Sequence, residues 1–319
     1  MLRAFLLLFV CAILIAQDTE PTIKVEVNVV NILFNVRDKQ HGLVPNLTKD
    51  DFTIFEDGKQ QDIKYFNRET DLPLTIGLLI DVSASQMNLI DIERNAADQF
   101  FQNVIRPKDL AFLISFGEDA DLLQDYTSSP KLLRKGLEDL HVNSGVGGVT
   151  PGPVPTAGQP RGTILYDAVY LAAHDQLKGQ VGRKVLVLIT DGEDEGSRLN
   201  IKQATEAAQK ADALIYSFFY VDREFYRRHG AIMLGGGNAG ALRQMSDDTG
   251  GHVFQIDRKM TLQNAFDQLN EEMRSQYAIG YVPTNAAQDG TFRKIEIHTS
   301  NKDWKVQARK GYYAIKPEG

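Results

Sequence analysis

Apolar and polar positions follow one rhythm at the two ends of this chain and another in its middle. From Thr22 to Phe66, apolar residues fall at every second position: Val25, Val27 and Val29, then Ile32, Phe34 and Val36 one step out of phase. A period of two predicts half-buried strands, and the slip in phase predicts a bulge. Phe52 and Ile54, then Asp57-Gly58, then Ile63 predict a hairpin, because Asp-Gly suits a two-residue turn with positive φ.

Between Leu74 and Arg274 the pattern changes. Continuous apolar runs of strand length occur at Leu74 to Ile80, Leu110 to Phe116, Lys184 to Thr190, Ala213 to Tyr220 and His252 to Ile256. Between them lie segments with helical periodicity: Ile92 to Val104, Thr163 to Leu177, Ile201 to Ala211, Ala239 to Thr249 and Leu262 to Met273. Unbroken apolar strands alternating with amphipathic helices predict an α/β fold. Its mostly parallel, doubly wound sheet is covered on both faces.

From Gln276 onward the strand rhythm returns, at Tyr277 to Tyr281, Arg293 to His298 and Lys305 to Tyr313. Neither terminal β segment is large enough to bury a core alone. The expectation is that residues 17–70 and 275–319 pair into one small β domain flanking an inserted α/β domain at 71–274. Residues 1–16 read as a signal peptide: Arg3 is followed by an uncharged apolar run from Leu6 to Ile15 and a small residue at Ala16. That run is short against the roughly 20 residues of a membrane span. The mature chain is therefore expected to be exported, periplasmic or secreted, with no membrane span.

Composition narrows the function. The 319 residues are 43% hydrophobic and 24% charged, with a formal net charge of -7, which gives no electrostatic reason to bind nucleic acid. The single cysteine, Cys11, lies in the leader, so thiolate metal sites and disulfide staples are excluded from the mature chain. The six histidines form no His-Glu-x-x-His pattern, and no Gly-x-Ser-x-Gly elbow is present.

The chemistry gathers at strand ends. Asp81, Ser83 and Ser85 follow the strand ending at Ile80. Thr163 follows the Gly/Pro-rich stretch from Ser144 to Gly162 and opens a predicted helix. Asp191 follows the strand ending at Thr190. Ligands of open α/β sheets bind beyond the carboxyl ends of the strands, so three loops converge there. Hydroxyls and carboxylates are hard oxygen ligands that suit magnesium, manganese or calcium.

Asp-x-Ser-x-Ser, then Gly-Thr before a helix, then Thr-Asp-Gly after a strand resembles the metal-ion-dependent adhesion site (MIDAS) of von Willebrand factor type A (VWA) domains. All five positions are filled. The resemblance covers the whole middle of the chain. More loosely, the flanking β segments resemble exported bacterial VWA proteins, the VWFA-related subgroup of Acidobacteria type. It implies that Ser83, Ser85 and Thr163 touch a divalent cation directly and that Asp81 and Asp191 act largely through water. It also implies no enzyme, but a module whose cation grips an Asp or Glu of a protein partner. The alternatives are a metal-assisted hydrolase and an envelope scaffold indifferent to metal.

Neighbouring residues have blander readings. Glu193, Asp194 and Glu195 suit either a second cation site or a solvated acidic loop. Asp167 suits either a hydrogen bond to the site or a first-turn acid favoured by the helix dipole. Gly235 to Gly237 lacks a Gly-Lys-Ser/Thr ending and reads as a flexible connection. The stretch Ser144 to Gly162 is expected to rim the site and contact the partner.

Overall fold

In a computed structural model of the chain, residues 29–142, 162–228 and 236–315 are described. The leader, Val25 and Val27, and nearly all of the stretch from Ser144 to Gly162 lie outside them.

Fourteen strands form three sheets among the described residues. The central sheet has six: β5 (Leu74–Asp81), β6 (Leu110–Phe116), β7 (Ala120–Thr127), β8 (Arg183–Thr190), β9 (Ala213–Phe219) and β10 (Val253–Gln255). Their spatial order is β10-β9-β8-β5-β6-β7. All neighbours are parallel except β7, which returns antiparallel to β6. The chain starts at β5, winds outward through β6 and β7, then crosses back to β8 and winds out the other way. The switch point is therefore the seam between β5 and β8.

Full burial of these strands explains their unbroken apolar runs. Leu78 and Ile80, with Val187 and Ile189, face one core, built with α1 (Ile90–Val104), α2 (Pro130–Glu138) and α7 (Leu262–Met273). Leu79, Leu186 and Leu188 face the other, built with α3 (Leu165–Leu171), α4 (Ile201–Lys210) and α6 (Ala239–Thr249). The two faces thus use alternate residues of one strand. A further short helix, α5 (Arg223–Arg228), follows β9.

Three features differ from the sequence reading. Strand β7 and helix α2 carry no clear apolar run, because β7 is an edge strand left largely half-exposed. The helix expected from Thr163 starts at Leu165, and from Ala172 to Leu177 it continues with π geometry. The C-terminal run from Lys305 to Tyr313 is two strands, β13 (Lys305–Ala308) and β14 (Gly311–Tyr313).

The remaining strands come from both ends of the chain. One antiparallel sheet runs β13, β1 (Val30–Arg37), β11 (Gln276–Tyr281), β4 (Ile63–Glu69). The other runs β14, β12 (Phe292–Thr299), β2 (Phe52–Glu56), β3 (Lys59–Gln61). Ile32 and Phe34 of the first sheet meet Ile54 and Ile295 of the second in one cluster, with Phe34 edge-on to Phe52 at 5.1 Å. Asp57 (φ 48°) and Gly58 (φ 77°) make the tight turn between β2 and β3 that the sequence predicts.

Arginines, Arg183 buried and Arg37 and Arg274 partly so, fasten the sheet systems where the chain crosses between them. Arg183, 2% exposed, donates to the carbonyls of Met273 and, at 3.3 Å, Leu72, and to Gln276 Oε1 at 3.3 Å. Burial, followed by repulsion from Arg274, lowers its pKa to about 10. Arg274 donates to Asp109, and Arg37 to Glu272.

Candidate metal centre

The centre sits at the carboxyl ends of β5 and β8, on the switch-point seam where a doubly wound sheet leaves a crevice. Asp81 is the last residue of β5, and Asp191 follows the last residue of β8. Both are buried, at 0% and 1% exposure. Beyond Asp81 the chain turns through a short 3-10 segment, Ala84–Gln86, which presents Ser83 and Ser85 side by side.

One hydrogen-bonded chain joins four of the five predicted residues. Thr190 Oγ1 donates to Asp81 Oδ2 at 2.6 Å, and the backbone N–H of Ser83 donates to Asp81 Oδ1 at 2.9 Å. Ser83 Oγ and Ser85 Oγ lie 3.0 Å apart. Ser85 Oγ donates to Asp191 Oδ2 at 2.7 Å. Thr163 is placed differently. Its carbonyl accepts from Glu195 and Gly196, both at 3.0 Å, and the next N–H, of Ile164, donates to Gly117 at 2.9 Å. The Thr163 backbone is thereby held between the loop after β6 and the loop carrying Asp191. Its hydroxyl takes no part in the hydrogen bonds linking the other four.

Four further residues, not singled out in the sequence, complete the surroundings. Thr190 braces Asp81 and also accepts the Gly192 N–H at 2.9 Å, which shapes the turn after β8. Gln86 Nε2 donates to Asp191 Oδ2 at 3.0 Å. Tyr226 of α5 donates its phenolic hydrogen to the same oxygen at 2.8 Å. Glu93 of α1 is 0% exposed, and neither of its carboxylate oxygens has a hydrogen-bond partner. One sequence signal points to it: Glu93 stands on the apolar stripe of an amphipathic helix, where a charge is out of place.

The electrostatics are one-sided. Burial, then the neighbouring charge of Asp191, pushes the Asp81 carboxyl up to about 7, against the pull of its bonds to Ser83 and Thr190. Burial, then Asp81 and Asp191, pushes Glu93 well above the carboxylate range. Glu193 is raised by burial and by Asp191 and Glu195. Among the described residues, no lysine or arginine acts on Asp81 or Glu93.

The outer acids separate in role. Asp194 accepts from the Tyr166 N–H at 3.1 Å and from Ser197, and Asp167 accepts from the N–H groups of Arg198 and Leu199 at 3.0 and 2.9 Å. Both therefore lock the Asp191 loop onto α3. Gly237, read from sequence as part of a flexible connection, packs on Asp191: at φ 77°, an added Cβ would meet the Asp191 carbonyl at 2.5 Å. The adjacent Asn238 N–H donates to that carbonyl at 2.7 Å.

The residues present fit a hard divalent cation. Among the described residues the buried carboxylates lack a counter-charge, Glu93 accepts no hydrogen bond, and the carboxylate and hydroxyl oxygens gathered suit such an ion. Among the described residues no group of three or more His, Cys, Asp or Glu is disposed to hold a metal, so hydroxyls are needed in the ligand set.

No family model and no curated protein matches the chain. Solved structures similar to it include protein BatB from Bacteroides thetaiotaomicron, at 17% identity over 63% of this chain and 97% of that one, TM-score 0.45. Proximal thread matrix protein 1 from the mussel byssus, with zinc occupying its MIDAS motif, is similar at 13% identity over 65% of this chain and 50% of that one, TM-score 0.46. The PilB minor pilin from Streptococcus sanguinis is similar at 12% identity over 64% and 61%, TM-score 0.46.

Proposed function

We propose that this chain is an exported, non-enzymatic VWA-domain protein that binds a protein partner through a divalent cation, magnesium or manganese before calcium. Ser83, Ser85 and Thr163 would hold the ion directly, with Asp81 and Asp191 acting through water. The observation that carries this reading is the buried pair Asp81 and Asp191, braced by hydroxyls, an amide and N–H groups and, among the described residues, by no basic side chain.

Bound there, the cation supplies an electrophilic position for a carboxylate oxygen. The chain's own residues set that up. Thr190 and the Ser83 N–H fix the Asp81 carboxylate. Asp191 takes the Ser85 hydroxyl hydrogen, so Ser85 Oγ accepts from Ser83 on one lone pair and keeps the other to ligate. Neutral hydroxyl ligands leave the ion under-neutralised, which favours an acidic side chain from a partner. Among the described residues no helix is long and apolar enough to cross a membrane.

The test is calorimetry on the mature protein with Mg²⁺, Mn²⁺ and Ca²⁺, followed by capture of partners from the native envelope and medium with and without chelator. Roughly one ion should bind, with the modest affinity of a site that keeps several waters. Asp81→Ala should abolish binding while leaving the circular dichroism spectrum intact. Equal binding by the variant removes the assignment, and partner capture indifferent to chelator removes the adhesion reading.

A further inference from the structure

Helix α1 packs against the central sheet with Ile90, Ala97, Phe100, Phe101 and Val104. Glu93 lies on this same buried face. A carboxyl group in such a place needs donors, because an unpaired buried polar group costs free energy and a buried charge costs far more. Other buried acids have donors. Glu56 accepts from Tyr281 at 2.7 Å and Tyr312 at 2.9 Å, and Asp109 accepts from the Leu74 N–H at 2.8 Å and from Arg274. Glu93 has none on either oxygen, and the charged groups that act on it are Asp81 and Asp191.

A partner that is both a donor and a source of positive charge would satisfy Glu93 and offset Asp81 and Asp191, whose charges act on it. Water held by a divalent cation meets both requirements. Such an ion retains part of its hydration shell, and its waters are strong hydrogen-bond donors. We propose that Glu93 is a sixth residue of the cation site, a positioning carboxylate that accepts hydrogen bonds from cation-bound water. This rests on the metal reading above and extends it from five residues to six. Glu93 thereby acts through water and is not a direct ligand beside Asp81 and Asp191; among the described residues no group of three acids is disposed to hold a metal. It retains the ion between encounters with a partner, since hydroxyl ligands alone hold hard cations weakly.

The experiment compares wild type, Glu93→Gln and Glu93→Leu by calorimetry with Mn²⁺ and Mg²⁺, and by thermal unfolding with chelator and with saturating Mn²⁺. Glu93→Gln preserves the shape of the side chain, so it reports even if Glu93→Leu fails to fold. The expected result is a 10- to 100-fold loss of metal affinity in the variants, as for other residues that orient a metal's ligands. In chelator their melting temperatures should equal or exceed the wild-type value, since an unpartnered buried acid is gone. The Mn²⁺-induced rise in melting temperature should shrink. A wild type that binds the ion and a Glu93→Gln variant that binds it equally well overturn the role of Glu93 and leave the five-residue site standing. A wild type that binds no ion overturns the site and Glu93 with it.

Discussion

The central sheet treats buried acids in opposite ways at its two edges. At the amino-terminal edge of the strands, Asp109 (0% exposed) is met by Arg274 and by the N–H groups of Leu74 and Arg106. Close by, Glu272 (1% exposed) is met by Arg37. Burial still outweighs Arg37 and holds Glu272 up at about 7, while burial lowers the adjacent His252 to about 4. The contact between His252 and Glu272 is thus one between a neutral ring and a carboxyl. At the carboxyl edge, Asp81 and Asp191 are as deeply buried and meet hydroxyls, an amide and N–H groups, while the buried Glu93 has no hydrogen-bond partner on either oxygen. The first edge carries its own counter-charges, so its ion pairs serve the fold. Among the described residues the second edge leaves charge unbalanced, which the proposed cation would offset.

The largest effect should come from cutting the β unit. We propose that residues 17–70 and 275–319 form one domain into which residues 71–274 are inserted. Strand β1 pairs with β11 and β13, β4 with β11, and β2 with β12. Truncation after Arg274 removes those partners and leaves unpaired edges with half a core. Hydrogen exchange should show β1, β2 and β4 losing essentially all protection, while β5 and β8 keep theirs. Equal protection of β1 in the truncated chain would refute the pairing as a unit of stability.

Next in size is a pair of substitutions, one at each edge. Arg274→Ala strands Asp109 without its cation and should cost about 3–5 kcal/mol in urea unfolding, the usual penalty for breaking a buried pair. Asp81→Asn in chelator should change stability by less than about 1 kcal/mol or raise it, because the carboxylate it removes has no cation to lose. Comparable losses for both would erase the distinction between the edges.

The contrast also explains what the sequence could say. The continuous apolar runs of β5 and β8 announce a parallel sheet, and Asp81, Ser83, Ser85 and Asp191 are local features of the loops that follow those runs. They are legible because fold and site depend there on residues close in sequence. The arginine pairs are not, since Arg274 and Asp109 are 165 residues apart and nothing local marks them as partners. Glu93 is written in the sequence as a charge on an apolar stripe, but its meaning depends on Asp81 and Asp191, distant in sequence, whose charges act on it in the folded chain. Edge strand β7 escapes because half-exposed residues carry little pattern. Thr163 is readable by type, yet the backbone bonds that hold it come from Glu195 and Gly196, which only the folded loop brings near.

The smallest expected effect belongs to Tyr226, the one aromatic donor to the centre's acids. Its hydroxyl shares Asp191 Oδ2 with Ser85 and Gln86, at 2.8, 2.7 and 3.0 Å. Burial, then Asp191, drives the phenol's pKa far upward, so the group stays a donor at any working pH. A cation held by Ser85 and approached by Asp191 through water needs hydrogen-bond capacity on that same oxygen. Tyr226 therefore competes with the ion's water for Asp191, whereas an arginine at the opposite edge has nothing to compete with. Tyr226→Phe removes the competitor and keeps the ring, including its contact with Gly236, where an added Cβ would come within 2.9 Å of the ring. Stability in chelator should fall by no more than about 1 kcal/mol, since Asp191 Oδ2 retains Ser85 and Gln86 as donors and Oδ1 retains the Glu193 N–H. Metal affinity should rise by a factor of about five, the equivalent of roughly 1 kcal/mol. Calorimetry on the wild type and Tyr226→Phe measures this directly. A fall in affinity would mean that the phenol helps hold Asp191 in place for the ion, and the carboxyl edge would then resemble the arginine edge in depending on an internal donor.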